Sequence, residues 1–208
     1  LFLYDSKTLT VISKYYFNDI IQDIQFSPDN SLILIGLYKS GRIEVRQISN
    51  SYWSAEINQG VKGIKYARFS PDSKHLLIIL ENNIKMEIFS MINKSIYYIK
   101  FPKFAKKGIS FTQCKKFMAL IERIDGIDNI GVYYLPDWVC IKKFETNTVN
   151  IQDVQWTYDN SKIIAQDINK LLIYSVMGEL IKKYENKINI FNFSFKNIIG
   201  NGRYLLIN

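Results

Sequence analysis

Four kinds of side chain in this sequence are candidates for chemistry: one histidine, three recurring aspartates, two cysteines and a run of lysines. His75 is the sole residue whose ordinary pKa lies near neutrality. It follows the turn SPDSK at 70 to 74 with no plausible triad partners nearby, so a surface turn residue is expected. Asp29, Asp72 and Asp159 recur at corresponding places, and paired carboxylates can do acid/base work. Turn chemistry explains the recurrence, because a short carboxylate hydrogen-bonds the turn backbone two residues on. Cys114 replaces the turn aspartate of its segment and Cys140 lies in a predicted strand; neither has the basic, helix-N-terminal setting that activates a thiol. The two form no CxxC pair and imply neither zinc nor a disulfide framework, which makes a reducing compartment the default. GNG at 200 to 202 has no following Lys-Ser/Thr and is a turn rather than a phosphate loop. No catalytic, metal-ligating or cofactor-binding residue is therefore expected, and no cofactor.

The lysines are the remaining candidate. Residues 100 to 116 hold Lys100, Lys103, Lys106, Lys107, Lys115 and Lys116 without one acidic residue. A strand predicted over 108 to 112 separates them into two groups at opposite strand ends, farther apart than a Debye length of roughly 10 Å. What is left is a loop cluster of Lys100, Lys103, Lys106 and Lys107 beside Phe101 and Phe104. Aromatics within a polar rim fit a protein contact, and the competing view is a solvated loop. The net charge of +8 admits an acidic partner, so an RNA- or ribosome-associated protein is the alternative. The heavy use of Ile, Lys, Asn and Tyr also fits an AT-rich genome, in which lysine fills any exposed surface.

These residues need elements to hold them, and a repeat supplies the elements. IQDIQFSPDNSLILIGL at 21 to 37 recurs as IKYARFSPDSKHLLIIL at 64 to 80, KKGISFTQCKKFMALIE at 106 to 122 and IQDVQWTYDNSKIIAQD at 151 to 167. The aromatic anchors Phe26, Phe69, Phe111 and Trp156 are separated by 43, 42 and 45 residues, and Phe195 follows after 39. Spacings of this size mark four-stranded propeller blades. In each unit an alternating first strand ends on its anchor and meets a Pro/Asp/Asn turn. A second strand that is apolar on both faces follows (LILI, LLII, MALI), as expected for a strand sandwiched between sheets. The fourth strands carry lysine pairs, VCIKKF at 139 to 144 and LIKKY at 180 to 184, which suits an exposed edge that must resist pairing with other chains. Helical periodicity never persists for three turns. With hydrophobic residues at 48% and charged residues at 22%, the composition is that of a globular chain. The longest apolar stretches, such as LILIGLY at 32 to 38, are too short to span a bilayer as a helix.

The fold class predicted is all-β, a WD-repeat-type β-propeller with degenerate blades: four full blades and two half blades. The repeats fall over 1–17 (half), 18–57, 58–99, 100–144, 145–184 and 185–208 (half). The Gly-His and Trp-Asp signatures of WD repeats are missing, so apolar stacking is expected to replace their buried His and Asp network.

YIKFPK at 98 to 103, KGISFT at 107 to 112, FMALIER at 117 to 123 and PDWVCIKKFETNT at 136 to 148 resemble, in order, the family of WD repeat-containing protein eight. LYKSGRIEV at 37 to 45 fits its preceding blade, and the ordered match runs from about residue 3 to 184. The resemblance implies a non-enzymatic scaffold of the cytoplasmic cytoskeleton, at the microtubule-organising centre, centrosome or spindle pole. Its implied partners are a coiled-coil anchoring protein and, with it, a minus-end-directed kinesin or tubulin; nucleic acid is not among them. It carries over no list of binding residues. Chains of that family extend further on both sides, so an arc of a larger propeller is expected, with a ring of five blades as the alternative.

Overall fold

The computed structural model describes residues 1–50, 52–185, 195–199 and 204–207. The strands are β1 (Phe2–Tyr4), β2 (Val11–Lys14), β3 (Asp23–Phe26), β4 (Leu32–Leu37), β5 (Arg42–Gln47), β6 (Ser54–Asn58), β7 (Ile64–Phe69), β8 (His75–Leu80), β9 (Lys85–Ser90) and β10 (Ile96–Lys100). They continue as β11 (Ile109–Phe111), β12 (Phe117–Ile124), β13 (Ile127–Tyr134), β14 (Val139–Glu145), β15 (Asp153–Trp156), β16 (Lys162–Gln166), β17 (Lys170–Ser175), β18 (Leu180–Glu185), β19 (Phe195–Ile199) and β20 (Tyr204–Ile207). Among the described residues these build four four-stranded antiparallel sheets, β3 to β6, β7 to β10, β11 to β14 and β15 to β18, each ordered along the chain. Two-stranded sheets, β1 with β2 and β19 with β20, precede and follow them along the chain, giving the predicted succession of four blades and two half blades. Of the final segment, residues 186–194, 200–203 and 208 lie outside the described residues.

The chain divides into two compact units, Leu1–Asn82 with Glu87–Ile96, and Asn83–Met86 with Tyr97–Asn208. In the first, Leu34, Ile43 and Val45 of one blade meet Ala67, Phe69, Leu76 and Ile78 of the next. In the second, Ala119, Ile130 and Val132 meet Trp156, Ile163 and Leu172 in the same way. The second strands are buried on both faces, as their unbroken apolar runs require.

Phe26 departs from this pattern. Phe69 and Trp156 pack on the blade that precedes them, and Phe26, paired with Ile33, points the same way. On that side β1 and β2 precede, and Leu1, Leu3 and Phe17 lie over Ile33, Ile35 and Leu37 rather than over β3. Phe26 therefore stays 53% exposed, whereas Phe69 is 5% exposed.

The turns after the anchors share one device. Ser27, Ser70, Thr112 and Thr157 each turn a side-chain hydroxyl onto the backbone N–H five residues on, that of Leu32, His75, Phe117 and Lys162, at 2.9 to 3.0 Å. Ser27 and Thr157 also donate at 2.6 Å to Asp29 and Asp159. The recurring aspartates thus serve turns, and hydrogen bonds to their ionised form hold both well below the usual carboxylate range, at about 2. Turns of successive blades are tied together, Asp29 N–H to Ser73 Oγ at 3.1 Å and Gln113 N–H to Asn160 Oδ1 at 2.8 Å. His75, expected in the turn on the surface, opens β8 instead, its side chain 14% exposed and its Nδ1 3.3 Å from Asp72. Its carbonyl already accepts the Ser70 N–H, so the ladder begins there and draws the imidazole down.

Candidate partner-binding loop and the polar networks that hold it

The segment between β10 and β11 is laced to the blade it enters. Phe101 takes a left-handed backbone, φ 59°, and donates its N–H to the Ile84 carbonyl at 2.7 Å. Its own carbonyl accepts the Arg123 N–H at 2.9 Å, Pro102 bridges to Glu122, and the Lys103 N–H reaches the Ile121 carbonyl at 3.0 Å. Gly108, φ 73°, closes the segment by donating to Asp153 Oδ1 at 2.9 Å. The loop follows the edge of β12 as a fixed strap, and its side chains divide accordingly.

Lys103 points inward. Its ammonium, 6% exposed, donates to Asp128 Oδ2, Asn150 Oδ1 and the Ile151 carbonyl, each at 2.7 Å. The Asp128 carboxylate is fully buried and also accepts the Ile151 N–H at 2.8 Å. Burial pulls the Lys103 pKa below its usual value, and Asp128 opposes that shift. Phe104 packs against the core of the second unit and lies between two ammonium groups, 5.1 Å from that of Lys103 and 4.5 Å from that of Lys107. Lys107 donates to Gln152 Oε1 at 2.9 Å while remaining exposed. Lys100, expected in the loop, ends β10 instead and is exposed there; Phe101, Lys106 and Lys107 present the loop's outer surface, and Lys103 and Phe104 anchor it. Two of the six candidate residues thus have internal partners that spacing alone does not reveal. Asp128, 25 residues away from Lys103, carries no sequence signal of this partnership.

Apolar stacking does not by itself replace the missing His and Asp network. In the first unit the Tyr38 hydroxyl donates to Asp23 Oδ2 at 3.0 Å and accepts the Ala67 N–H at 3.2 Å, while Gln25 donates to the Ala67 carbonyl at 2.8 Å. In the second, fully buried Glu122 accepts from both the Tyr133 hydroxyl and the Lys143 ammonium. Burial, followed by the Glu122 charge, raises the Tyr133 pKa. Gly131 makes room for this pair: a Cβ there would sit 2.3 Å from Glu122 Oε1 and 2.6 Å from the Tyr133 ring. One lysine of the predicted edge pair, Lys143, thus also serves the interior.

Among the described residues no group of His, Cys, Asp and Glu is placed to hold a metal ion, and no helix is long and apolar enough to cross a membrane. Cys114 and Cys140 are both exposed and unpaired as a disulfide.

No protein-family profile matches the chain. Over 183 residues, 86% of its length, it is 31% identical to the WD repeat-containing protein WRAP73 of Mus musculus. The chain spans 40% of that relative's length. Its fold is similar to a chain of Kuenenia stuttgartiensis hydrazine synthase, with a TM-score of 0.63 at 15% identity, over 88% of this chain and 54% of the other. At that identity the likeness concerns the fold alone.

Proposed function

This chain belongs to the WD-repeat proteins, and we propose that it acts as a non-enzymatic interaction scaffold at the centrosome or spindle pole. There it would anchor microtubule minus ends through a coiled-coil partner, with a minus-end kinesin or tubulin as further company. The observation that carries this reading is the ordered match, 31% identical across 86% of the chain, to a WD repeat-containing protein. The mechanism is rigid display: ladders, tied turns and buried networks fix the frame, and loop side chains meet the partner. Lys100 and the loop residues Phe101, Lys106 and Lys107 are available for that contact.

Proximity labelling from the full chain in dividing cells tests the placement, with spindle-pole proteins expected among the labelled set. Their absence overturns it. For the loop, Lys100→Glu and Phe101→Ser together are expected to weaken partner recovery while changing thermal stability little. Unchanged recovery removes the loop from the contact. RNA affinity that falls steeply with the logarithm of salt would instead move the chain to the nucleic-acid reading that its net charge of +8 admits.

A further inference from the structure

Every blade ends in an outer strand with one free edge, and the four edges are not alike. β10 carries Lys100, β14 carries Lys142 (its neighbour Lys143 pairs with buried Glu122), and β18 carries Lys182 with Lys183. Lysine on an edge deters a foreign strand, because pairing would desolvate its charge. β6 reads Ser-Ala-Glu-Ile-Asn and has none. Its one charge, Glu56, has a carboxylate oxygen 3.9 Å from the Arg42 guanidinium on β5.

The edge itself is accessible. Among the described residues β6 pairs with β5 alone. The Gln59 N–H bonds the Gly41 carbonyl at 2.8 Å and the Gln47 N–H faces the Trp53 carbonyl at 3.5 Å, so the alternating ladder directs Ala55 and Ile57 inward. The backbone N–H and C=O groups of Ser54, Glu56 and Asn58 consequently face outward. Beside them lies a groove of about 510 Å³ lined by Trp53, Ala55, Ile57, Phe89, Met91 and Lys94. It runs between β6 and the neighbouring blade, within the first compact unit.

We propose that β6 and this groove form a strand-addition site for an extended segment of a protein partner. The segment would pair with Ser54, Glu56 and Asn58 and lay an aliphatic side chain on Phe89 and Met91. An acidic residue on it would meet Lys94. Outward backbone groups select an extended chain of any sequence, and the apolar floor beside them selects every second side chain. The inference deepens the scaffold reading and rests on it, and it uses none of the residues of the 100–107 loop.

The test is a phage-displayed library of random peptides panned on the full chain, with Glu56→Pro and Glu56→Lys as comparators. Proline at 56 removes an outward N–H and no bond to β5; lysine at 56 restores the guard found on the other edges. Enriched peptides with an aliphatic residue flanked by an acidic one, binding both variants at least about tenfold more weakly at unchanged melting temperature, bear the proposal out. Equal binding to the variants, or no enrichment, overturns it. So does self-association of the chain that Glu56→Lys abolishes, since the occupant would then be a second copy. The two readings fail separately: a spindle-pole set labelled equally by the unaltered chain and by Glu56→Lys removes only the edge, whereas an empty set from the unaltered chain removes the scaffold.

Discussion

Lys103 Nζ lies 2.7 Å from Asp128 Oδ2, and the lysine head and the carboxylate are both enclosed by the second unit. A loop lysine is thereby converted into a structural residue. Breaking a buried pair from one side leaves the other charge uncompensated, at a cost of about 3–5 kcal/mol. Lys103→Met is expected to lower stability by that order in urea unfolding, and Lys103→Glu by more, because it sets a second carboxylate beside Asp128. Lys106→Glu, on an exposed side chain, should change stability far less, by under about 0.5 kcal/mol. Equal midpoints for the Lys103 variants and wild type would remove the anchoring role.

Gly131 carries a different constraint. The Glu122 carboxylate and the Tyr133 ring occupy the space its Cβ would take, and both belong to a buried pair that has little freedom to yield. Gly131→Ala is expected to destabilise by about 1–3 kcal/mol through overpacking. Tyr133→Phe, which leaves a buried carboxylate one donor short, should cost a similar 1–3 kcal/mol or so. Thermal unfolding of the two single variants measures both.

The post-anchor turns predict a pH dependence. Asp29 and Asp159 have pKa values of about 2 in the folded chain, against an ordinary 3.8. A carboxylate depressed on folding contributes stability that is present above the ordinary value and lost as pH falls through the folded one. Urea midpoints should therefore drop between about pH 4 and pH 2, and less steeply in Asp29→Asn with Asp159→Asn. An identical profile for the double variant would exclude these turns as the source.

The repeat makes Phe26 and Phe69 equivalent in sequence, but burial makes them unequal. Phe69→Ala should cost about 3–5 kcal/mol, as expected for an enclosed aromatic. Phe26→Ala, at a side chain left half in water, should cost under about 1 kcal/mol. Chemical denaturation of the two variants side by side gives the contrast, and equal losses would contradict the packing described for β3.

Much of the architecture was legible from period and pattern. The unbroken apolar runs LILI, LLII and MALI had to be central strands, because only a strand covered on both faces tolerates them. The turn aspartates were legible too, since the Asp29 and Asp159 carboxylates accept the N–H of Ser31 and Ser161, two residues on. The loop was half legible. Composition placed lysines and phenylalanines there, but which side chains turn inward depends on Asp128, Asn150 and Ile151, which arrive from a distant hairpin and the next blade's entrance. Glu122 was likewise silent within FMALIER, because a carboxylate in a strand reads as polar until Tyr133 and Lys143 are seen to enclose it.

Strand polarity, turn chemistry and lysine-bearing edges depend on residues within a few positions of one another, and the blade period on their recurrence, so all of these can be read along the chain. Which charges are buried, and which backbone groups of β6 face outward beside an apolar groove, came from tertiary packing. Burial belongs to the surfaces that surround a side chain, and those surfaces come from residues far away along the chain. Lys103 and Lys106 are the same residue type three positions apart, and Asp128, Asn150 and Ile151, all distant along the chain, make one of them part of the interior.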